Sequence, residues 1–312
     1  ALPSNQVRRF ALKDRPHTST VFYREGLSGT VAVLEDRLNG MRSLYINSIG
    51  EVENSFTGMQ TFKVLGHLPL LLHEGEPRDV LMVTFGGGIA SGTVAVHPIE
   101  KLDVVELEPA VVEAASFAYR TENRAVVEDP RVKVHLEDGR HFVAMTANSY
   151  DVIISDATNP ASVDSWLLYT EEFYSLCASR LNDGGVMAQW LPVHSGSAQT
   201  YNTVVRTFQT VFPHTSIWQT KDYTVLLGTP MPLSIDYPQL AASLSQDYMA
   251  ADLAPWCLDN PLELLDCFLM GPEAALSMSE GAGVSTDDLP FYQFSDDAPG
   301  SQEILAMLST HR

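Results

Sequence analysis

The sequence predicts an α/β protein in which an open, doubly wound parallel sheet follows a small antiparallel β module. Two observations lead to this prediction. Before residue 75, short segments alternate apolar and polar residues between turns, as antiparallel strands do. From Val80 onward, apolar strand patterns alternate with helical patterns, which is typical of a parallel sheet with helices on both faces. We therefore divide the chain into a β-rich module, residues 1–75, and an α/β domain, residues 76–312.

The β-rich module contains three strand patterns and one helical pattern. The strands are predicted at Thr20–Tyr23, Gly29–Glu35 and Arg42–Ile46. Apolar residues repeat with helical spacing over Gly58–Leu72, and Pro69 is predicted to end this helix because proline interrupts the hydrogen-bond ladder. His67 lies inside the helix and is expected to be a packed residue rather than a ligand.

The segment from Val80 to Glu108 has the order of a nucleotide-binding βαβ unit. A strand over Val80–Val83 is followed by glycines at positions 86, 87, 88 and 92, a short helix, and a strand over Leu102–Val105. Glycines let the backbone approach a ligand closely. Glu106 and Glu108 follow about 20 residues after the glycines, where a carboxylate can accept hydrogen bonds from both ribose hydroxyls. This segment predicts a Rossmann-like domain that binds a nucleoside or nucleotide.

Two later strands of the predicted sheet also end in acids. Val132–Leu136 precedes Asp138, and the almost wholly apolar Tyr150–Ser155 precedes Asp156. Ligands bind beyond the carboxyl ends of parallel strands, so Glu106, Asp138 and Asp156 are expected to line one crevice. Each acid also has a structural interpretation: Glu106 as a surface acid at a strand end, Asp138 as a turn residue, and Asp156 as a helix cap or turn acid.

The other elements extend the alternating pattern. Helices are predicted at residues 109–120, 171–181, 199–211, 233–249 and 261–270, and strands at residues 186–190, 215–219 and 223–227. Gly184 and Gly185 are predicted to cap the helix that precedes them. Trp190 and His194 follow a strand near the crevice, where loop packing explains them as well as a site does. Residues 285–294 are expected to pack back on the domain.

The charge of the chain limits the classes of partner. Hydrophobic residues make up 45% of the sequence, which is ordinary for a globular protein, whereas the formal net charge is −20. No basic stripe is present, so we expect no nucleic-acid partner. An acidic surface suits a cationic small-molecule substrate, and it also suits a merely solvated surface.

Cysteine usage and hydropathy bear on location. The three cysteines lack the spacing of metal ligands, so we expect no metal. Their odd number indicates free thiols in a reducing compartment, so we expect a cytoplasmic protein. No apolar run reaches the roughly 18 residues that a membrane span requires, and no secretory signal opens the chain. The sequence begins at Ala1 without a methionine, which fits a portion of a longer protein.

Taken together, the motifs of the chain resemble the spermidine synthase (polyamine aminopropyltransferase) family. The segments that carry the resemblance are LGHLPLLL, the glycine loop, VVELEPAVVEAA, DPRVKVHLEDGRHF, YDVIISDATNP, LYTEEFY and LNDGGVMAQWLP. The WLP and TDDLP segments are most similar to a bacterial branch in which such a domain follows a multi-span membrane portion. The resemblance thus implies the cytoplasmic domain of a membrane-anchored protein, and family members commonly form homo-oligomers.

The resemblance also implies roles for individual residues. As substrate it implies S-adenosylmethionine or its decarboxylated form. The residues implied in binding it are Gly86, Gly87, Gly88, Glu106, Leu107, Asp138, Gly139 and Asp156. Glu106 would hold the ribose hydroxyls, and Asp138 with Gly139 would lie near the adenine. The residues implied in catalysis are Asp156, Asn159 and Tyr169. Asp156 matches the acid that takes a proton from the attacking amine, and Tyr169 would lie on a loop that covers the site.

Three departures from the family pattern concern substrate recognition. The family's glycine loop usually reads GGGDGG, and its acid binds the amine of the decarboxylated cofactor; here the loop is TFGGGI, with Thr84 first and Gly87 in place of the acid. Asn159 stands where the family has a second acid after the fourth strand. The family's Gln-containing substrate strand is replaced by NSIGEVEN, around Glu51.

Three functions remain open at this point. The first is transfer of an aminopropyl-type group to an amine, with release of methylthioadenosine. The second is a different reaction of intact S-adenosylmethionine, either methyl transfer or attack by its own carboxylate to give methylthioadenosine and a lactone. The third is a non-catalytic nucleoside sensor. An acid at position 156 favours chemistry over sensing, whereas a glycine at position 87 favours the intact cofactor.

Overall fold

The N-terminal module is a four-stranded antiparallel sheet in the order β1-β2-β3-β4. The structure is a computed structural model, and it describes residues 17–157, 159–160, 162, 165–194, 196–221, 223–289, 291 and 301–310. The strands are β1 (Thr18–Glu25), β2 (Thr30–Asp36), β3 (Arg42–Ile46) and β4 (Ile49–Glu53). The first three confirm the predicted strands, whereas β4 was not predicted as a separate strand. A two-residue turn at Asn47 and Ser48, both with positive φ, joins it to β3 in a hairpin.

Helix α1 (Phe56–Leu71) follows this sheet and packs against the larger one. The side chain of Ser55 accepts a hydrogen bond from the backbone N–H of Gly58 and so caps the helix. Pro69 does not end the helix, contrary to the prediction. It lies in the last turn, where it removes a single hydrogen bond, and its neighbours Leu68 and Leu70 are buried. Packing therefore keeps this turn helical.

The larger sheet has eight strands in the order β12-β10-β11-β9-β8-β5-β6-β7. The strands are β5 (Asp79–Val83), β6 (Lys101–Glu106), β7 (Val132–Leu136), β8 (Tyr150–Ser155), β9 (Leu181–Pro192), β10 (His214–Thr220), β11 (Tyr223–Thr229) and β12 (Phe268–Met270). β5 to β9 pair in parallel, and β10, β11 and β12 join them antiparallel. The predicted doubly wound sheet is present, but it is mixed rather than wholly parallel. The nearly continuous apolar strands β5 and β8 lie at its centre, buried on both faces.

Helices cover both faces of this sheet. They are α2 (Ile89–Val94), α3 (Pro109–Ala118), α4 (Gly139–Met145), α5 (Glu171–Ala178), α6 (Ala198–Val211), α7 (Tyr237–Leu244), α8 (Asp247–Leu253), α9 (Pro261–Leu265), α10 (Pro272–Met278) and α11 (Ser301–Thr310). One apolar core joins α1, α2 and α3 to one face of the sheet and to the N-terminal module. A second core joins α4, α5 and α6 to the other face. In the part of the chain that is described, no helix is both long and apolar enough to cross a membrane.

Several predicted boundaries in the second half were wrong. The pair Gly184 and Gly185 does not cap a helix; it lies inside β9, which begins at Leu181 with an irregularity in its pairing to β8. Two short helices, α7 and α8, replace the single helix predicted at residues 233–249. Of the tail predicted to pack back on the domain, Asp287 accepts hydrogen bonds from Arg140 and Thr170, whereas residues 290 and 292–294 lie outside the described residues.

A buried polar cluster holds α1 against α8. The carboxylate of Asp252 accepts hydrogen bonds from Lys63 (2.7 and 2.9 Å) and from Arg124 (3.2 Å), and it lies 2.9 Å from Nε2 of His67. Nδ1 of His67 lies 2.8 Å from Nε2 of His97. Burial lowers the pKa of both histidines, that of His97 the further, so the pair is uncharged near neutral pH. His67 is a packed residue, as predicted, and this cluster fixes the helix that lines the candidate site.

Candidate active site

A cavity of about 660 Å³ lies at the carboxyl ends of the parallel strands, under the N-terminal module. The larger sheet contributes the residues that follow β5, β6, β7 and β8, and the N-terminal module contributes β4 and the turn before it. Among the residues with predicted roles, those that line the cavity are Gly86, Glu106, Leu107, Asp138, Gly139 and Asp156. The expected convergence of strand-end acids is therefore present, and a wall supplied by the module closes one side.

The glycine loop turns sharply between β5 and α2. Gly86 and Gly88 have φ of +53° and +70°, in the left-handed region that favours glycine. Thr84 has φ of +71°, which is unusual for a β-branched residue. Its hydroxyl donates to the carbonyl oxygen of Asp156 (2.6 Å), and its N–H donates to the carbonyl oxygen of Val105 (2.9 Å). A strained residue thus ties the loop to the strand that carries the central acid.

Gly87 has a different reason to be glycine. Its φ lies outside the left-handed region, but a Cβ there would lie only 2.8 Å from Cγ1 of Val52 on β4. The carbonyl oxygen of Gly87 accepts a hydrogen bond from the side chain of the buried Asn123 (3.0 Å). Where the family pattern has an acid, the module therefore packs an apolar side chain against the loop.

Glu106 is held by backbone groups. Its two carboxylate oxygens accept hydrogen bonds from the N–H groups of Phe85 and Glu108, both at 2.9 Å. It is 8% exposed, and burial raises the pKa of its carboxyl, although hydrogen bonds to the anion offset part of that rise. The carboxylate is thus fixed in the cavity wall, where its remaining lone pairs are available to two hydroxyls.

Asp138 and Glu108 both cap helices. One carboxylate oxygen of Asp138 accepts a hydrogen bond from the N–H of His141 (2.7 Å) at the start of α4. Glu108 caps α3 through the N–H of Ala110, and its other oxygen accepts hydrogen bonds from Ser28. Asp138 is therefore a helix cap rather than a turn residue of the Asp-Gly pair, and it also lines the cavity.

Asp156 and Glu51 differ from these acids. Both line the cavity, and no hydrogen bond or ion pair from the described residues reaches either carboxylate. Burial and the nearby carboxyls of Glu51 and Glu106 raise the pKa of Asp156 well above its ordinary value. Burial raises the pKa of Glu51 to about 7. Two acids without protein partners are typical of a site that receives a cation.

Four of the proposed site residues lie outside the cavity lining. The hydroxyl of Tyr169, which is fully buried, donates to the carbonyl oxygens of Ala157 (3.0 Å) and Trp190 (3.3 Å). Tyr169 thus supports the wall from behind, at the end of a connection that contributes Ser162, Ser165 and Leu168 to the lining. Its place on a loop that covers the site stays a prediction. Gly87, Gly88 and Asn159 are also absent from the lining formed by the described residues.

Two aromatic residues belong to the lining; the sequence left a site role open for Trp190 and indicated none for Tyr223. Trp190 and Tyr223 both line the cavity, and their ring centroids are 5.3 Å apart. They come from neighbouring antiparallel strands, β9 and β11, so only the pairing of those strands brings them together. No cluster of three or more metal-ligating side chains occurs among the residues that the structure describes.

Sequence comparison relates this chain to known proteins. Residues 60–224 match the family described as the spermine/spermidine synthase domain, which is more than half of the chain. The chain belongs to this family. The polyamine aminopropyltransferase 1 of Pseudomonas aeruginosa is 36% identical over 126 residues, which are 40% of this chain and 43% of that protein. The polyamine aminopropyltransferase of Serratia proteamaculans is 37% identical over 125 residues. The matched segment spans less than half the length of these relatives.

Solved structures of the family share the fold. Spermidine synthase from Thermotoga maritima superimposes with a TM-score of 0.60 at 19% identity, covering 93% of this chain and 88% of that one. A probable spermidine synthase from Corynebacterium glutamicum gives a TM-score of 0.62 at 17% identity, covering 85% and 96% of the two chains. The family and the two-part fold are thus confirmed, whereas the membrane-anchored arrangement and the homo-oligomer stay predictions.

Proposed function

We propose that the protein transfers an alkyl group of the aminopropyl type from a sulfonium cofactor to an amine and releases methylthioadenosine. The observation that carries the proposal is the position of Asp156. Its carboxylate has no partner among the described residues and lies beside Gly86, where a Cβ would be 3.9 Å from Oδ2. The relatives named as polyamine aminopropyltransferases support the same reaction.

The nucleoside would lie along the glycine loop. In this proposal Glu106 accepts hydrogen bonds from the ribose hydroxyls, and Leu107 packs beside the adenine ring. Asp138 and Gly139 would lie near the adenine amino group. Since backbone hydrogen bonds already orient the carboxylates of Glu106 and Asp138, nucleoside binding would require little rearrangement of these two side chains.

The chemistry then requires a positioned nucleophile and a proton acceptor. The nitrogen lone pair of the amine attacks the carbon attached to sulfur, and the sulfur keeps the electrons of the broken C–S bond as a neutral thioether. The nitrogen loses a proton, which Asp156 accepts. Because the pKa of this carboxyl is raised, it lies closer to the pKa of its donor than that of an ordinary aspartate would.

A second candidate, chemistry on intact S-adenosylmethionine, is favoured by the contact between Val52 and Gly87. An acid at position 87 would repel the cofactor's carboxylate, and here an apolar side chain occupies that space instead. The pocket therefore lacks one device that would reject the intact cofactor. Methyl transfer would give S-adenosylhomocysteine, whereas attack by the cofactor's own carboxylate would give methylthioadenosine and a lactone.

Identification of the thioether product decides between these reactions. The protein is incubated with decarboxylated or intact S-adenosylmethionine, each with and without a panel of primary amines, and the products are separated by chromatography. The proposal expects methylthioadenosine that forms only when an amine is present. S-adenosylhomocysteine, or methylthioadenosine formed without any amine, would instead support the second candidate. No turnover together with tight nucleoside binding would indicate a sensor.

A further inference from the structure

Glu51 has no role in the mechanism proposed above. It lies on β4 of the N-terminal module and lines the cavity, half-buried. No described residue donates a hydrogen bond to its carboxylate. An unpaired acid in this position is costly for folding, because water is partly removed and nothing in the protein replaces it.

Gly86 shows how close β4 comes to Asp156. A Cβ at Gly86 would lie 3.4 Å from Cγ2 of Val52, the residue after Glu51, and 3.9 Å from Oδ2 of Asp156. The glycine loop is therefore flanked by β4 and by the central acid. The charge of Glu51 also acts on Asp156, as the raised pKa of that carboxyl reflects.

The other acids around the cavity already have partners. Glu106 accepts two backbone N–H groups, Glu108 is bonded by Ser28 and Ala110, and Asp138 caps α4. Glu53 lies at the exposed rim of the cavity and accepts a hydrogen bond from Ser43 (3.3 Å). Among the described residues, Glu51 and Asp156 thus form the one pair of cavity acids without a protein partner.

We propose that Glu51 is a second carboxylate of the amine site, which binds the acceptor as an ammonium ion together with Asp156 and shares the proton that leaves it. This inference rests on the proposed function, since it concerns the acceptor of the same reaction. The ammonium first loses one proton to the pair, and the neutral nitrogen then forms the C–N bond. As that bond forms, the C–S bond breaks and its electrons stay on sulfur. The secondary ammonium product and the neutral thioether then leave, and the pair of carboxyls returns the proton to water. The N-terminal module therefore supplies a reacting group as well as a wall.

Binding of an amine to the protein saturated with methylthioadenosine tests the inference without requiring turnover. The probes are n-butylamine and 1,4-diaminobutane, titrated calorimetrically at pH 6 and pH 8 into the wild type, Glu51→Gln and Glu53→Gln. Burial raises the pKa of Glu51 to about 7, so the wild type is expected to bind amine more tightly at pH 8 than at pH 6. Glu51→Gln is expected to weaken binding at pH 8 about tenfold or more. It is also expected to reduce the pH step, while the raised pKa of Asp156 contributes to the step in both proteins.

Controls separate this result from a general loss of structure. Glu53→Gln makes the same charge change on the same strand and should leave amine affinity within about twofold. Both variants should keep the methylthioadenosine affinity of the wild type. The inference is overturned if neither amine binds the wild type, or if Glu51→Gln binds amine with an unchanged pH step. If amine binding responds as expected but no alkyl group is transferred, the cation site stands and the proposed reaction fails.

Discussion

The two ends of the cavity are built in opposite ways. At the proposed nucleoside end, formed by Gly86, Glu106 and Asp138, the acids are held by backbone N–H groups. At the proposed amine end, formed by Glu51 and Asp156, no described residue bonds the carboxylates. A preorganised end suits a ligand with fixed hydroxyl geometry. An unpaired end is a cost to stability that a cationic ligand would remove. Under the proposed function, the cavity would thus separate rigid recognition of the nucleoside from electrostatic recognition of the amine.

The largest expected effect comes from the amine end. Asp156→Asn should lower kcat by about 10²–10⁴, because a general base typically contributes that much. The affinity for methylthioadenosine should stay within a few-fold of the wild type, since the nucleoside end is intact. Steady-state kinetics and calorimetry on the same preparation check both values. Near-normal turnover would mean that Asp156 is not the base.

At the nucleoside end, Glu106→Gln should weaken methylthioadenosine binding about tenfold or more, because charge-assisted hydrogen bonds are worth about 1.5–3 kcal/mol. Calorimetric titration measures the change, and a thermal melt shows whether the variant is folded. Glu76→Gln, at a largely exposed position, serves as the charge control. If affinity is unchanged in a folded Glu106→Gln protein, the ribose assignment is wrong.

We expect the boundary between the two ends to set the choice between intact and decarboxylated cofactor. An acid at position 87 needs space that Val52 occupies, so the double variant Gly87→Asp with Val52→Ala is the informative one. It should shift preference toward the decarboxylated cofactor by about 1–3 kcal/mol, measured as the ratio of the two dissociation constants. Val52→Ala alone is the matched control. Equal ratios in the two proteins would show that position 87 does not contact the cofactor's tail.

The smallest expected effect is on stability. The pKa of Glu51 is raised from 4.5 to about 7, so the folded chain binds more protons than the unfolded chain between these values. Stability should therefore fall as pH rises through this window. Glu51→Gln should flatten this decline and raise the Tm at pH 8 by roughly 2–4 °C, which corresponds to about 1 kcal/mol in domains of this order of size. If stability declines equally with pH in the wild type and in Glu51→Gln, the pKa of Glu51 is not raised as described.

The nucleoside end could be predicted from sequence because it depends on local patterns. Apolar strands of fixed period lead directly to Glu106 and Asp138, and in the same way to Asp156 of the amine end, because parallel strands bring their ends to one edge. Each of these residues lies where the strand pattern placed it.

The amine end could be predicted only in part. Glu51 enters the cavity because β3 and β4 form a hairpin over the glycine loop, and the turn at Asn47 and Ser48 has no glycine to mark it. Trp190 and Tyr223 meet through the pairing of β9 with β11, which local periodicity does not specify. The direction of the Tyr169 side chain could not be predicted, because a motif alone does not say on which side of a wall a side chain lies.

Isotope labelling tests the central claim, which is that an alkyl carbon of the cofactor becomes bonded to the nitrogen of an amine. The cofactor is prepared with ¹³C at the alkyl carbon attached to sulfur, the amine with ¹⁵N, and the product is examined by NMR. The account predicts one-bond ¹³C–¹⁵N coupling in a new secondary amine, with one methylthioadenosine released for each product molecule. Recovery of the ¹³C in a lactone, or in S-adenosylhomocysteine with a methylated amine, would contradict it.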